Sequence, residues 1–192
     1  MHLSYSQIRS LDRIKRINLI KSVSNIKSAS LIGSISEDNE PNLTIFNSIL
    51  NVGFESAALG LVIHLNNSKT KNTYKNIISN GSFTLNHVNR TFVRNAQFAA
   101  SQMQNYLCEF KACNLTEQYE ESIRAPFVLE SDFKLGLMLT EETYIPTNNS
   151  VVLTGEIIHA EIPDFVLPNI RINTRKERIK AVKAHSELMF AY

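Results

Sequence analysis

The sequence predicts a mainly β domain, a small antiparallel barrel with flanking helices. Alternating apolar and polar residues recur in about six short segments, and turn-type sequences join most of them as hairpins. The strands do not alternate regularly with crossover helices, and no G-x-G-x-x-G motif is present, which argues against a Rossmann domain. The chain has 192 residues and no internal repeat or low-complexity linker, so we expect a single domain over residues 1–192.

The composition excludes several classes of function. Hydrophobic residues make up 43% of the chain and charged residues 20%, as in ordinary globular proteins. The net charge of +2, without basic blocks between aromatics, argues against a nucleic-acid partner. No apolar run is long enough to span a bilayer, and charges interrupt the N-terminal segment where a signal peptide needs an apolar core. We therefore expect a cytoplasmic protein without a membrane partner.

The N-terminal half is predicted to begin with a helix over residues 6–20 and to continue in barrel strands. Apolar residues recur at helical spacing in the first segment, at Ile8, Leu11, Ile14 and Ile17. Period-two alternation predicts strands over residues 28–35, 42–50, 58–65 and 82–88. A polar turn over residues 37–41 joins the first two of these strands as a hairpin.

The C-terminal half is predicted to contain a helical insertion followed by a long hairpin. The insertion covers residues 91–120, and Ala125-Pro126 interrupts the pattern after it. Two long alternating segments follow, over residues 132–145 and 150–162, joined by a Pro-Thr-Asn-Asn turn. The barrel is thus expected over about residues 21–164, with a charged helical tail over 174–192.

Neither the cysteines nor the histidines predict a metal site. Cys108 and Cys113 lack the further ligands that zinc requires, and the five histidines do not cluster with carboxylates in the sequence. We expect reduced cysteines, with Cys113 as a small buried residue; a redox pair is the alternative.

The segment from Lys69 to Val88 carries the strongest local signal of a binding site. Lys71 and Thr73 precede a predicted helix over residues 74–79, and Thr73 stands at the N-cap position. A helix N-terminus presents unpaired N–H groups and the positive end of the helix dipole, which stabilise an anion. A capped surface helix behind a solvated basic loop explains the same residues, and both interpretations stay open.

Seven short segments, taken in their order and spacing, indicate a family. They are KSASLIG (27–33), NLTIFNS (42–48), KNTYKNI (71–77), FTLNHV (83–88), CEFKACNLT (108–116), APFVLES (125–131) and LTGEIIH (153–159). From about Arg16 to Asp164 the chain resembles the flavin reductase-like proteins, whose fold is the FMN-binding split barrel. The resemblance implies an antiparallel Greek-key split β-barrel, and a homodimer with one FMN in each of two grooves at the subunit interface.

The resemblance also implies which residues bind the cofactor. Lys71 and Thr73 match the family's phosphate-binding positions, in agreement with the anion-site interpretation. The strand and loop that line the isoalloxazine ring would be formed by Asn42, Thr44, Ile45, Phe46, Asn47 and Ser48. Ser30 would face the flavin, and Asn86 and His87 would contact the flavin or an incoming nicotinamide.

The same residues also have purely structural explanations. Asn42 to Ser48 fits a hairpin strand with polar edge residues equally well. His87 shares a strand face with Phe83 and Leu85, as a core or interface histidine would.

The implied activity is hydride transfer from NADH or NADPH to the flavin, and from there to a small-molecule or protein acceptor. The chemistry belongs to the cofactor, so no catalytic side chain is expected. Two alternatives stay open. One is a flavin-binding electron carrier or store without its own NAD(P)H activity. The other is a split barrel that binds a non-flavin ligand, such as haem or a pyridoxal phosphate vitamer.

Overall fold

The computed structural model describes residues 2–16, 19, 29–53, 57–100 and 109–163, so the predicted tail over 174–192 lies outside the described residues. The strands are β1 (His2–Ser4), β2 (Ser30–Ile35), β3 (Pro41–Phe46), β4 (Ile49–Gly53), β5 (Ala58–His64), β6 (Ser82–His87), β7 (Glu117–Glu120), β8 (Ile123–Val128), β9 (Lys134–Ile145) and β10 (Ser150–Glu161). The helices are α1 (Tyr5–Ser10), α2 (Ser68–Asn80), α3 (Val93–Ala100) and α4 (Glu109–Ala112).

The main sheet is antiparallel and its two edges are joined by a very short connection. Its strands follow the order β3-β2-β6-β9-β10-β5-β4, with β1 added beside β10, while β7 and β8 form a separate hairpin. The edge strands β3 and β4 are separated in the chain only by Asn47 and Ser48. From Phe46 to Ile49 the backbone spans at most about 10 Å. The sheet therefore curls until its edges meet, which confirms the predicted antiparallel split barrel.

Two apolar clusters hold the barrel and its helices together. The main core contains side chains from both halves of the sheet, among them Ile32, Leu61, Phe83, Leu137 and Leu153. The second cluster joins β2 and β3 to α3 and α4 on the other side of these strands; its members include Leu31, Leu43, Phe92 and Phe110. Burial of each such side chain contributes about 2 kcal/mol, so β2 and β3 are stabilised from both faces.

The helix predicted over residues 6–20 is not continuous. Helix α1 ends at Ser10, and Leu11 adopts an extended conformation with ψ of 134°. The carboxylate of Asp12 then accepts a hydrogen bond from the Lys15 N–H at 2.9 Å, so a new helical turn begins over residues 13–16. The apolar spacing is the same on both sides of this break, which is why periodicity alone missed it.

The strand predictions agree with the structure for most of the barrel and differ from it at β3–β4 and around the helical insertion. The strand predicted over residues 42–50 is divided into β3 and β4, whereas the segments 28–35, 58–65, 82–88, 132–145 and 150–162 each match a strand within two residues. The helical insertion predicted over 91–120 contains α3 and α4, but its last residues form β7. Its partner β8 was missed because it contains Pro126. This proline lies opposite a register shift between Gln118 and Glu120, where a ladder donor is not needed.

Gly33 lies where strand β8 passes close to the sheet. A Cβ atom at this position would overlap the Pro126 carbonyl oxygen and the Thr84 hydroxyl. The Thr84 hydroxyl donates to that same carbonyl at 2.6 Å, so neither group can move without loss of the bond.

We predict that Gly33→Ala lowers the free energy of unfolding by about 3 kcal/mol, because backbone atoms cannot yield to the added methyl group. Urea unfolding followed by circular dichroism measures the effect. Gly60→Ala is the control, because the nearest atoms to its new Cβ belong to the Val52, Val152 and Leu50 side chains, at 3.0–3.4 Å, and not to the backbone. Equal midpoints for the two variants would contradict the prediction.

Candidate functional site

One row of the sheet brings together three of the predicted site residues. Ser30 of β2 pairs with Phe46 of β3 on one side and with His87 of β6 on the other. Paired residues share a face of the sheet, and Phe46 belongs to the main core. Ser30 and Phe46 are buried whereas His87 is half-buried, so the row marks an end of the barrel interior that opens toward solvent.

The short connection between β3 and β4, Asn47 and Ser48, forms a corner next to this row. Asn47 is exposed and Ser48 is half-buried, and the Ser48 hydroxyl donates to the Asn47 side-chain oxygen at 3.2 Å. The Val62 N–H donates to the Ser48 carbonyl at 3.0 Å, which ties the corner to β5. Ile45 points the other way, because it packs against the second apolar cluster.

Helix α2 begins earlier than predicted, so Thr73 is not its N-cap. The helix starts at Ser68, and the Lys71 N–H already donates to the Asn67 carbonyl at 3.1 Å. The Thr70 hydroxyl bonds the His64 carbonyl at 2.8 Å and fixes the entry of the chain into the helix. Lys71 therefore lies in the first turn of the helix, is exposed, and has no acidic residue in that turn beside it.

Thr73 instead belongs to a buried polar layer between α2 and the strands β2 and β3. The layer consists of Ser34, Asn42, Thr44, Thr73 and Asn76. Thr73 donates to the Thr44 hydroxyl at 2.9 Å and lies 3.1 Å from the Asn42 side-chain oxygen. This oxygen also accepts from Ser34 at 3.2 Å and from Thr44 at 3.3 Å.

The structure thus assembles three predicted residues, Asn42, Thr44 and Thr73, but beneath the surface. Their exposed fractions are 8%, 6% and 0%. Their hydrogen bonds hold the N-terminal part of α2 against β3 and so position Lys71 and the corner. We therefore assign them to positioning the site, and not to direct contact with a ligand. The helical prediction could not show this, because a buried threonine in a helix has no distinctive sequence signal.

Glu109 of α4 lies behind the layer, and it was not found from the sequence. The Asn42 side-chain amide donates to its carboxylate at 2.9 Å. Burial raises the pKa of the Glu109 carboxyl and the nearby Glu40 charge adds to the rise, while hydrogen bonds from its own backbone N–H and from Asn42 oppose it. The two partners are 67 residues apart in the chain, so no local pattern links them.

Asn86 is buried on the opposite face of β6 from His87, and its side chain links β6 to β2 and β8. Its amide donates to the Leu31 carbonyl at 3.1 Å and to the Thr84 hydroxyl at 2.9 Å. Its oxygen accepts from the Val128 N–H at 2.9 Å. With these bonds and no exposed surface, Asn86 has a structural role instead of the predicted ligand contact.

His87 is held at the mouth of the barrel through its backbone. Its N–H donates to the Phe133 carbonyl at 2.9 Å, and its carbonyl accepts from the Ser131 hydroxyl at 2.9 Å. Burial lowers the pKa of the imidazole below its usual 6.5, against the opposing charge of Asp132. At neutral pH the ring is therefore uncharged, and it has both a donor and an acceptor nitrogen.

Two further observations concern metals and membranes. Within the ranges that the structure describes, no group of three or more His, Cys, Asp or Glu side chains is arranged to hold a metal ion. Cys113 is buried, as expected, whereas Cys108 lies outside those ranges. None of the helices in the described part of the chain is long and apolar enough to cross a membrane.

A comparison with protein families shows to which family the chain belongs. The sequence profile of the family described as "Flavin reductase like domain" matches residues 25–179, most of the chain. The chain therefore belongs to the flavin reductase-like family, which confirms the predicted family and places the protein among flavin oxidoreductases. No protein with a curated description matches the sequence.

Solved structures agree with this assignment. A protein from Shewanella frigidimarina NCIMB 400, described as a flavin reductase with a split barrel domain, is 32% identical. The match covers 85% of this chain and 81% of that chain, with a TM-score of 0.66. Nitrilotriacetate monooxygenase component B from Bacillus cereus is 15% identical, covers 80% and 78%, and has a TM-score of 0.65. Flavoredoxin of Desulfovibrio vulgaris (Miyazaki F) is 22% identical, covers 71% and 70%, and has a TM-score of 0.61; the last two show the fold alone.

The polar layer predicts a specific stability effect. Thr73→Val removes the hydroxyl but keeps the shape, so Thr44 loses its donor, and we expect the free energy of unfolding to fall by about 1–2 kcal/mol. Urea unfolding measures this. Asn72→Ala, at the exposed neighbouring position of α2, should not lower stability; a Thr73→Val midpoint equal to that of wild type would show that the layer contributes nothing.

Proposed function

We propose that the protein binds FMN at the end of the barrel where the corner, the first turn of α2 and the Ser30–His87 row meet. When bound, FMN supplies hydride chemistry at its ring, taking electrons from NADH or NADPH and passing them to an acceptor. The observation that carries the proposal is that the Thr73–Thr44 bond of 2.9 Å holds the N-terminal half of α2, which includes Lys71, beside the half of β3 that leads into the corner. The cytoplasmic location stays a prediction.

The first turn of α2 is suited to the phosphate of FMN. It combines the N–H groups of a helix start, an exposed Lys71 and the absence of acidic residues in that turn. The remaining predicted phosphate ligand, Thr73, is buried, so we assign it to positioning instead of to direct contact.

The corner and the neighbouring row are suited to the ring system. Asn47 and Ser48 offer an amide, a hydroxyl and backbone groups at an exposed or half-exposed position. Phe46 presents an apolar side chain and Ser30 a hydroxyl from the adjacent strand. The neutral His87 ring is placed to hydrogen-bond the flavin or a nicotinamide without adding charge.

We also propose that a second copy of the chain covers the outer face of β4 and β5. Leu50 and Val52 are 44% and 45% exposed on the edge strand β4. Their side chains and that of Val152 converge above Gly60, forming an apolar patch that begins next to Ser48. An exposed apolar edge favours association, so a homodimer formed here would also close the groove at the corner.

The alternatives differ in measurable ways. A flavin-binding carrier or store without its own NAD(P)H activity stays an alternative, as does a split barrel that binds a non-flavin ligand. The visible spectrum after FMN addition and gel filtration tests the main proposal. Retained flavin that bleaches with anaerobic NAD(P)H supports a reductase, and retained flavin that stays oxidised supports a carrier. A protein that retains no FMN contradicts both, and a Soret band would indicate haem.

Lys71→Ala should weaken FMN binding on the order of 10- to 100-fold, because one charge-assisted hydrogen bond to phosphate contributes about 1.5–3 kcal/mol. Quenching of FMN fluorescence measures the dissociation constant. Lys75→Ala removes an exposed cation one turn further along α2 and should change the constant less than threefold. Equal constants for the two variants would remove Lys71 from the site.

The double variant Leu50→Asp/Val52→Asp should convert the dimer to a monomer, because two carboxylates would be buried in an apolar interface. Sedimentation equilibrium measures the assembly state. Ile78→Asp, at a 40% exposed apolar position on α2, is the control and should remain dimeric. A dimeric Leu50→Asp/Val52→Asp variant would place the interface elsewhere.

A further inference from the structure

Glu109 is a half-buried carboxylate to which the function proposed above assigns no task. It lies at the start of α4, and its side chain reaches Asn42 at the beginning of the edge strand β3. It thereby links a helix outside the barrel to the polar layer beneath the proposed site.

The carboxylate determines which way the Asn42 amide points. An ionised carboxylate has only acceptor atoms, so it accepts from the amide nitrogen of Asn42 at 2.9 Å. Rotation of the amide by 180° would place two acceptor oxygens against each other. The Asn42 oxygen is therefore directed to the hydroxyls of Ser34, Thr44 and Thr73.

This orientation sets the direction of the hydrogen bonds beyond Asn42. Because the Asn42 oxygen only accepts, Thr44 donates its proton to it, and Thr73 then donates to Thr44. Ser34 also donates to Asn42, and the Asn76 amide donates to Ser34 at 3.2 Å. One consistent set of hydrogen-bond directions thus connects Glu109 to α2 and to the part of β3 that leads into the corner.

We propose that Glu109 is a positioning residue of the flavin site, which through Asn42 orders the polar layer and so places the corner and the first turn of α2 against the cofactor. The inference rests on the flavin-binding function proposed above. It differs from that proposal because Glu109 lies behind the layer and acts through Asn42.

The groups around Glu109 determine whether a pH-dependent change can be assigned to its carboxyl group. Glu40, just before β3, is the charged group that acts on it. Among the described residues, the groups of β2 and α2 that reach it through the layer, Ser34, Thr73 and Asn76, are neutral. Helix α3 meets this segment through the neutral Asn95 amide, which donates to the Cys113 carbonyl at 2.9 Å, four residues beyond Glu109 in the chain.

The test compares FMN affinity in wild type, Glu109→Gln and Glu121→Gln between pH 5 and 8, by fluorescence quenching. The side-chain amide introduced by Glu109→Gln can accept or donate, so it no longer enforces one orientation of Asn42, and we expect about fivefold weaker binding at pH 8. Wild type and Glu121→Gln, a change at an exposed turn, should lose affinity in parallel as the pH falls. Glu109→Gln should show a smaller loss, due to the phosphate of FMN and to protonation of His87, which affect all three proteins alike.

Stability separates positioning from a purely structural role. The pKa of Glu109 is raised in the folded state, so its carboxyl stabilises the protein at pH values below the ordinary pKa of 4.5. This contribution is lost as the pH rises through the raised pKa, because the ionised carboxylate is then partly buried. Glu109→Gln should therefore unfold at the same or a higher urea concentration at pH 8, although it binds FMN more weakly. Lower stability together with unchanged affinity would overturn the inference.

A flavin-free measurement makes the two proposals independently testable. In NMR spectra without FMN, the side-chain amide of Asn42 should shift with pH in wild type but not in Glu109→Gln. This result supports the ordering role even if FMN does not bind, in which case only the proposed function fails. Retained FMN with no such shift, and with parallel pH profiles of affinity, overturns the inference and leaves flavin binding intact.

Discussion

The short connection between β3 and β4 is the constraint on which the rest of the structure depends. These strands lie at opposite edges of one antiparallel sheet, yet only Asn47 and Ser48 separate them. Because so short a connection cannot span an open sheet, the sheet curls, encloses the main core and leaves a corner at one end. That corner lies beside the row of Phe46, Ser30 and His87. Barrel closure and the proposed binding site are therefore consequences of the same two residues.

The polar layer connects this closure to function. A barrel interior filled only with apolar side chains would hold α2 against the strands without fixing its position along them. Hydrogen bonds among Asn42, Thr44 and Thr73 have defined partners and directions, so they fix the register between the helix and β3. The amide orientation imposed by Glu109 is important because it fixes which groups of the layer donate and which accept. The first turn of α2 and the corner are thus held as one unit.

Much of the fold could be predicted from the sequence, because strand alternation reports directly which residues face the core. The strands corresponding to β2, β5, β6, β9 and β10 were located in this way, and the family resemblance was confirmed. The errors share a physical cause. Asp12 begins a new helical turn within an unchanged apolar period, and Pro126 is accommodated opposite a register shift. In both cases the local hydrogen-bond arrangement decides the structure, and the apolar periodicity of the sequence does not reveal that arrangement. The early start of α2 at Ser68 has a similar origin, since the Thr70 hydroxyl donates to the His64 carbonyl at the end of β5.

By itself, the sequence determined the class of fold, the family and the segments that surround the proposed site, since these depend on patterns within short stretches of chain. Only the tertiary structure decided what each residue in those segments does. Thr73 and Asn86 carry the polar groups expected of ligands, but packing places them among buried partners, whereas Lys71 and Asn47 remain exposed. Glu109 was connected to the site only by its contact with Asn42, which lies 67 residues away in the chain. The reason is physical: exposure and hydrogen-bond partnership are set by which elements pack together, and no local pattern contains that information.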